Sequence, residues 1–191
     1  MKKLSDTLKE MGVEFTFPIE IKNEAGNETY FEDSDGDWCK RKYNPSGNET
    51  YYENIDGYWR KSEYDSAGNE TYREDSDGDW CKREYDSSGN ETYHGTSDGY
   101  WRKSEYNPSG KATYYEDSNG YWCKSEYDPS GNETYREDSH DYWWKREYNP
   151  SGKETYYENS NGYKKGTPRS AKTCEGKVVE VDGVKYELKS L

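Results

Sequence analysis

Aliphatic residues are scarce in this sequence. Leu, Ile, Val and Phe together number 15 of the 191 residues, and Ile55 is the one Leu, Ile or Val between residues 27 and 162. So low a content of Leu, Ile, Val and Phe, together with a net charge of −13, is typical of disordered chains. The scarcity excludes an aliphatic-core enzyme barrel, a doubly wound sheet and a helix bundle. The chain is therefore either a disordered polyampholyte or a fold whose apolar surface is almost wholly aromatic.

Long apolar runs, secretory signals and paired cysteine motifs are also lacking. No run of about 18 apolar residues occurs, so no membrane span is predicted, and the start has two lysines but no apolar h-region. The four cysteines have no Cys-x-x-Cys spacing, which argues against zinc. Cys39 and Cys81 would lie about 19 Å apart in an open sheet, too far for a disulfide. We expect free thiols in the reducing cytoplasm, or in the host cytoplasm if a phage encodes the chain.

Aromatic residues are abundant, with 22 Tyr and 7 Trp, and they recur at a fixed step. A tetrapeptide ending in Thr-Tyr begins at positions 27, 48, 69, 90, 111, 132 and 153, and five of these seven read Asn-Glu-Thr-Tyr. Tryptophans keep the same 21-residue step, at Trp38, Trp59, Trp80, Trp101, Trp122 and Trp143. Such regularity indicates one structural element stacked on copies of itself.

One unit, Asn69 to Gly89, has the pattern of a β-hairpin. Two runs of 6 and 7 residues carry Thr, Tyr and Trp, and each is followed by a four-residue segment that begins with an Asx and ends with Gly. Asx first, Pro second and Gly last are typical of a type I turn followed by a left-handed glycine. Acids in the first run and bases in the second would lie opposite each other. Gly47, Gly68, Gly89, Gly110 and Gly131 are expected to have positive φ, and so is Asp141, which replaces Gly in the sixth unit.

We therefore predict an all-β protein, in which tandem 21-residue β-hairpin repeats form an elongated antiparallel meander sheet with a short N-terminal helix and capping strands. The predicted segments are an N-terminal cap (1–26), six and a half repeats (27–162), a linker (163–173) and a C-terminal β-hairpin (174–191). Within the cap we expect a helix from Ser5 to Met11 and a strand from Glu14 to Ile21. The C-terminal hairpin is expected to turn about Asp182 and Gly183.

The 21-residue step raises a question of parity. Direct pairing through two four-residue turns would repeat a position after about 22 residues, and a slip of one residue moves a side chain to the other face. Either one turn in each unit closes differently, through a bulge for example, or alternate units face opposite ways. Cys39, Cys81 and Cys123 recur every second unit. That alternation fits opposite facing, and it fits a duplication of a two-unit block, which we favour.

The spacing Tyr-Asp-x-x-Gly-Asn-x-Thr at Tyr64 and Tyr85, followed by Asp-x-x-Gly and a return to Tyr-Asp, resembles the YD repeats of RHS-type proteins. The resemblance covers residues 27 to about 162 and implies stacked β-hairpins in a continuous, curling sheet. RHS proteins are far larger shells around a toxin domain, which this chain is too short to form. MORN repeats and choline-binding repeats are more loosely similar. The resemblance implies an architecture and no functional residues.

Catalytic and metal-binding motifs are missing from the sequence. His94 and His140 lie where repeats depart from the consensus, and no P-loop, GxGxxG, GxSxG or HExxH occurs. The segment Asp33-Ser-Asp-Gly-Asp37 is like the start of a calcium loop. A calcium loop has Gly at the sixth position, whereas here Gly is fourth, which is the position that a hairpin turn requires. We expect no enzymatic activity, no cofactor and no metal site.

Three functions remain open. The first is a non-catalytic scaffold that binds a protein partner through an acidic, aromatic-rich sheet, since Tyr, Trp and Arg dominate interfaces. The second is a phage-type inhibitor of host defence that mimics nucleic acid and binds a nucleic-acid-processing enzyme, because residues 27–162 hold 31 acids and 16 bases. The third is binding of glycans or choline on aromatic shelves. Direct binding of nucleic acid or membrane is not expected. The candidate partner-binding residues are Tyr52, Tyr115, Trp144, Glu53, Glu74, Asp75, Glu116 and Glu137.

Overall fold

The structure is a computed structural model that describes residues 3–169, 178–181 and 184–187. The chain divides into two compact units, Met1–Tyr121 and Trp122–Leu191. The first unit has a short helix and ten strands: α1 (Leu4–Glu10), β1 (Ile19–Lys22), β2 (Glu28–Glu32), β3 (Trp38–Tyr43), β4 (Glu49–Asn54), β5 (Trp59–Tyr64), β6 (Glu70–Asp75), β7 (Trp80–Tyr85), β8 (Glu91–Thr96), β9 (Trp101–Tyr106) and β10 (Ala112–Asp117).

The second unit continues the same pattern. Its strands are β11 (Trp122–Tyr127), β12 (Glu133–Asp138), β13 (Trp143–Tyr148), β14 (Glu154–Asn159), β15 (Lys164–Gly166), β16 (Val178–Val181) and β17 (Val184–Glu187). Strands β1 to β15 have the same order in the sheet as in the sequence, and β16 pairs with β17 in a separate sheet. The predicted all-β antiparallel meander of 21-residue hairpins is confirmed.

The turns are held by the Asx residue that opens each of them. Between β3 and β4, the Asn44 Oδ1 atom accepts the backbone N–H groups of Ser46 at 3.0 Å and Asn48 at 2.9 Å. The five glycines predicted to be left-handed are confirmed: Gly47, Gly68, Gly89, Gly110 and Gly131 have φ of 88°, 90°, 84°, 74° and 83°. Asp141 is also left-handed, with φ of 59°.

A β-bulge resolves the parity of the repeat. Between β3 and β4, Lys42 pairs with Tyr51, but the next residue, Tyr43, pairs with Glu49, so Thr50 is an extra residue. The same shift in register occurs between β5 and β6, between β7 and β8, and between β11 and β12. Each bulge adds one residue to one strand of its hairpin and leaves the partner strand unchanged.

The bulge keeps equivalent residues on one face of the sheet. Tyr30 pairs with Lys40, and Lys40 pairs with Glu53, so alignment across two strands advances by 23 residues. Because 23 and 21 differ by an even number, equivalent positions of successive repeats point the same way, displaced by two residues along the strand. The alternative in which alternate repeats face opposite ways is wrong.

Hydrogen bonds fasten each repeat to the one before it. The Tyr64 hydroxyl donates to the backbone carbonyl of Glu49 at 3.0 Å, and the Ser76 N–H donates to the carbonyl of Trp59 at 2.9 Å. Equivalent bonds recur at the same separations of 15 and 17 residues in further repeats. The recurring Tyr and Ser of the sequence therefore hold neighbouring strands and turns together.

Aromatic rings and cysteines take the place of an aliphatic core. The buried apolar residues of the described chain are Tyr30, Trp38, Cys39, Cys81, Trp144 and Tyr156. Most other aromatic residues of the repeats are half-buried, and Trp80 is 39% exposed. Stacking on the next repeat covers these rings only in part, because the sheet is a single layer.

The ends of the chain differ in detail from the predictions. Helix α1 agrees with the prediction to within one residue, but the strand predicted from Glu14 to Ile21 begins only at Ile19. Its partner strand explains the difference: β2 ends at Glu32, which pairs with Ile19, and no further residue of β2 is left to pair with residues 14–18. Residues 170–173 of the predicted linker and the predicted turn Asp182–Gly183 lie outside the described residues.

Candidate interaction surface

Each unit presents two faces of constant composition, because side chains alternate along a strand and the register preserves parity. We call them the lysine face and the arginine face. In one repeat the lysine face carries Tyr51, Glu53, Trp59 and Lys61, and equivalent residues of the other repeats. The arginine face carries Glu49, Tyr52, Arg60, Ser62 and Tyr64, and their equivalents.

The lysine face is a row of linked Tyr, Glu, Lys and Trp side chains. The Tyr72 hydroxyl donates to Glu74 Oε2 at 3.0 Å, and Lys61 Nζ donates to Glu74 Oε1 at 3.1 Å. Lys61 also lies 4.6 Å from the centre of the Trp59 ring, at cation–π distance. The hydrogen bonds from Lys61 and Tyr72 hold the pKa of Glu74 below its usual range. Acids and bases on adjacent strands therefore pair as predicted.

The arginine face carries a ladder of ion pairs. Glu49 lies between two arginines: Arg60 is 2.8 Å away and Arg41 3.4 Å away. Glu91 lies likewise between Arg102 at 2.6 Å and Arg83 at 3.6 Å. Such pairs are partly screened from water by the rings beside them, so they hold neighbouring strands together more firmly than fully exposed pairs would.

In the first two repeats, the alternation of cysteine leaves one arginine and one small side chain on the arginine face of each repeat. Cys39 precedes Arg41 by two residues, and the next repeat has Arg60 before Ser62. The fifth repeat departs from this pattern, because Cys123 is followed two residues later by Ser125. Ser62, which is 6% exposed, uses its hydroxyl to donate to Glu70. The three described cysteines, Cys39, Cys81 and Cys123, are free thiols.

Tyrosine pairs also lie on the arginine face, near the turns. The rings of Tyr52 and Tyr58 are 6.3 Å apart, and those of Tyr115 and Tyr121 are 6.1 Å apart. The Tyr115 hydroxyl lies 3.3 Å from that of Tyr100. This hydrogen bond, burial and the carboxylate of Asp117 raise the pKa of Tyr115, so its phenol remains neutral well into the alkaline range.

The eight predicted partner-binding residues do not form one surface. Tyr52, Tyr115 and Trp144 lie on the arginine face, whereas the four glutamates lie on the lysine face: Glu53, Glu74, Glu116 and Glu137. Asp75 accepts the backbone N–H groups of Asp77 and Asp79 and so holds a turn. A partner that touches one face would therefore meet only part of the predicted set.

Trp144 requires a correction. Variation at its position between repeats predicts that it is available to a partner. It is 8% exposed, and the guanidinium of Arg146 lies 4.1 Å from its ring centre. Stacking with an arginine two residues away buries the ring, so variation at this position does not mark exposure. Tyr52 and Tyr115 are half-buried.

Sequence reasoning missed the place where α1 packs. The Leu4 N–H donates to the Tyr30 hydroxyl and the Ser5 N–H to Glu32 Oε2, both at 3.0 Å, and the Ser5 hydroxyl donates to the same carboxylate. Helix α1 thus covers the first repeat on its lysine face. Ile19 is a signal of this cover in the sequence. It pairs with Glu32, whereas later repeats pair a lysine with the equivalent glutamate, so Glu32 has no lysine beside it and is left for the donors of α1.

Ionisation of this buried pair follows from its contacts. Burial opposes a charge on Glu32, but the hydrogen bonds from Ser5 and Tyr30 and the charge of Lys3 together hold its pKa below the usual range. Burial and the neighbouring Glu32 raise the pKa of Tyr30 to about 12. At neutral pH the site therefore holds one carboxylate that accepts from two donors of α1.

The described residues contain no group of three or more His, Cys, Asp or Glu side chains placed to hold a metal ion. The Asp33 carboxylate, in the segment similar to a calcium loop, accepts the N–H groups of Asp35 and Asp37. In the same part of the chain, no helix has the length and apolar character that crossing a membrane requires.

Comparison with known proteins gives structural matches. By its own 21-residue step and strand order, the chain is a tandem β-hairpin repeat protein. A mutant Photorhabdus luminescens Tc holotoxin pore matches with TM-score 0.48 and 14% identity over 76% of this chain and 9% of that chain. The TcdB2–TccC3 crystal structure matches with TM-score 0.47 and 12% identity over 86% of this chain and 10% of that one. The TcdB2–TccC3 structure without its hypervariable C-terminal region matches with TM-score 0.47 and 12% identity over 96% of this chain and 11% of that one.

This chain thus spans about a tenth of the length of the chains that it matches. Neither a family model nor a curated protein matches the sequence. The repeats themselves, with their 21-residue step and antiparallel strand order, agree with the YD-repeat resemblance.

Proposed function

We propose that this protein is a non-catalytic repeat scaffold that binds a protein partner through its sheet. The observation that supports the proposal is a single-layer sheet whose aromatic residues are mostly half-buried or exposed, as Trp80 is at 39%. Tyr, Trp and Arg are the residues that contribute most to protein interfaces. Carboxylates of the repeats such as Glu74 and Glu49 are engaged by lysine, tyrosine and arginine side chains, as expected for groups that hold a sheet together.

Capture of a partner at two salt concentrations tests this proposal. The full chain is immobilised, and cell extract is applied at low and at high ionic strength. Interfaces dominated by apolar and aromatic contacts tolerate salt, whereas those made by surface charges weaken. We expect one protein to be captured at both salt concentrations and to be lost with the double variant Tyr52→Ala/Tyr115→Ala.

Arg73→Ala is the matched control, because Arg73 occupies the same column of the arginine face and is exposed. A partner retained by all variants at both salt concentrations would place the interface away from these tyrosines. Capture of no macromolecule at either salt concentration would contradict the scaffold and favour glycan or choline binding.

A second candidate function, mimicry of nucleic acid, is favoured by the charge of one row of turns. The turns 33–37, 54–58, 75–79 and 96–100 contain eight acids and no base. In a meander, these alternate turns lie along the same edge of the sheet. A row of negative charge at regular spacing could compete for a basic nucleic-acid channel.

Charge removal at that edge separates the two functions. Asp35, Asp56 and Asp77 each occupy the third position of a turn, so the triple change to Asn leaves the Asx that opens each turn intact. Mimicry predicts capture of a nucleic-acid-processing enzyme at low salt only, with loss of capture in the triple variant. Capture that survives both high salt and this variant would reject mimicry.

A further inference from the structure

The first repeat shows how the lysine face receives a helix. The residue before α1, Lys3, supplies no side-chain cap, so the N–H groups of the first turn depend on other partners. Tyr30 and Glu32 provide them, through the bonds to Leu4 and Ser5 described above. A carboxylate at a helix N-terminus is also favoured by the helix dipole. A Tyr-x-Glu pair of the sheet therefore caps a helix that belongs to a different part of the chain.

The second unit uses the same face in a similar way. The N–H of Arg169, in the segment after β15, donates to Glu147 Oε2 at 2.7 Å. Pro168 of that segment lines a shallow pocket together with Tyr135, Lys145 and Tyr156 of the lysine face. In each unit, a carboxylate of the lysine face thus accepts a backbone N–H from a segment outside the repeats.

Equivalent Tyr-x-Glu pairs recur in the next repeats, where the N–H bonds of α1 do not reach them. The Tyr51 hydroxyl donates to Glu53 at 3.1 Å and that of Tyr72 to Glu74 at 3.0 Å, as Tyr30 does to Glu32 at 2.7 Å. Glu32 is 1% exposed, whereas the side chain of Glu74 is 32% exposed. The later pairs therefore offer the chemistry of the first pair to solvent.

From these contacts we propose that the lysine face of the first unit binds the N-terminal end of a partner's α-helix at Tyr51/Glu53 and Tyr72/Glu74. The bound helix begins, like α1, with a basic residue, an apolar residue and a serine or threonine. This inference goes beyond the scaffold function proposed above, because it assigns a separate binding site on the opposite face from Tyr52 and Tyr115. Lys3 supports the basic residue, because its Nζ donates to the carbonyl of Gly36 in an acidic turn.

A bound helix must displace a lysine from Glu74. Lys61 pairs with Glu74 in the free protein, whereas Ile19 stands at that position beside Glu32. The Lys61 side chain is 54% exposed, and such ion pairs contribute little. On leaving Glu74 the lysine keeps its contact with the Trp59 ring. Glu74 then exchanges one charged donor for the N–H and hydroxyl donors of a helix.

A helical peptide added to the full chain tests the inference. The probe is a synthetic peptide that carries Lys-Leu-Ser-Asp-Thr-Leu-Lys-Glu, the sequence of residues 3–10, followed by a helix-stabilising Glu-Ala-Ala-Ala-Lys extension and a C-terminal fluorophore. Binding is measured by fluorescence anisotropy. We expect saturable binding that weakens by about tenfold or more when the serine of the peptide is replaced by alanine, because a hydrogen bond to a carboxylate is lost.

Two double variants of the protein localise the binding. Glu53→Gln/Glu74→Gln removes both pairs and is expected to weaken binding by about tenfold or more. Glu63→Gln/Glu84→Gln removes the same charge from the same face, at the glutamates equivalent to Glu147, which accepts from a segment that is not helical. Because these glutamates are not paired with a tyrosine hydroxyl of this series, the variant is expected to change helix binding by less than about twofold. Circular dichroism establishes that both variants fold.

Equal loss of affinity in the two variants would attribute binding to charge alone and overturn the inference. Absence of binding by the serine peptide, or binding that Glu53→Gln/Glu74→Gln leaves unchanged, would also overturn it. The scaffold function would survive these failures if a captured partner is still lost with Tyr52→Ala/Tyr115→Ala, since those residues lie on the other face.

Discussion

Removal of the Ser5 hydroxyl is expected to loosen α1 from the sheet. Ser5 is 3% exposed, and its hydroxyl and N–H both donate to the carboxylate of Glu32. A hydrogen bond to a charged group contributes about 1.5–3 kcal/mol, so Ser5→Ala is expected to weaken docking by about that amount. With 1.4 kcal/mol for each factor of ten, the undocked population is expected to rise about 10- to 150-fold.

Hydrogen exchange measures this population directly. Amides in the first turn of a helix have no partner within the helix and usually exchange freely, but those of Leu4 and Ser5 are bonded to Tyr30 and Glu32. Both are expected to exchange slowly in the parent protein and about 10- to 150-fold faster in Ser5→Ala. Thr7→Ala is the control, because the Thr7 hydroxyl bonds to the Lys3 carbonyl inside the same segment.

Unchanged exchange of the two amides in Ser5→Ala would refute the capping role of Glu32. Equal acceleration in Ser5→Ala and Thr7→Ala would refute it as well, because the effect would then reflect the stability of the helix rather than its contact with the sheet. Exchange in the distant strand β9 is expected to remain the same in all three proteins.

Three further changes probe other contacts. The folded pKa of Glu32 lies below its ordinary value of 4.5, so the stability that Glu32 contributes is expected to be complete above about pH 4.5 and to be lost as the pH falls below that value. Hydrogen exchange of α1 measured against pH checks this, and its rate after correction for intrinsic exchange is expected not to vary with pH in Glu32→Gln. Gly57 has φ of 83° and open space at its Cβ position. Gly57→Ala is therefore expected to lower the free energy of unfolding in urea by about 1–2 kcal/mol, and Gly57→Asn by clearly less, because asparagine tolerates the left-handed conformation. Equal losses would contradict the turn assignment. Glu49→Gln is expected to cost about 1–3 kcal/mol, because the charged acceptor shared by Arg41 and Arg60 is lost, although Arg41 keeps Glu28. Glu84→Gln, whose partner Lys82 is mostly exposed, is expected to cost less than about 1 kcal/mol in the same assay.

Local features of the hairpins were predictable because their causes are local. The Asx that opens each turn and the left-handed glycine that closes it act within five residues, as the bonds of Asn44 and the φ of Gly47 show. Asp141 could be assigned the same conformation from its place in the repeat. These features depend on backbone geometry and neighbouring atoms, which the sequence specifies directly.

The candidate surface was predictable only in part. Composition indicated aromatic and acidic side chains, but it could not assign them to faces, because one bulge residue in each repeat decides the parity. Threonine is favoured in regular strands, so the residue type of Thr50 does not indicate a bulge, which appears only in the pairing of the strands. The variable position of Trp144 predicts exposure, and its burial follows from stacking with Arg146, two residues along the same strand.

The sequence by itself determined the repeating unit: its 21-residue length, its two strands and its two turns, because turn chemistry and side-chain alternation act over a few residues. The tertiary structure alone decided which residues share a face, how far successive repeats are displaced, and where α1 lies. Those properties depend on pairing between strands and on contacts such as Ser5 with Glu32, 27 residues apart, whose energies arise only when the chain brings distant groups together.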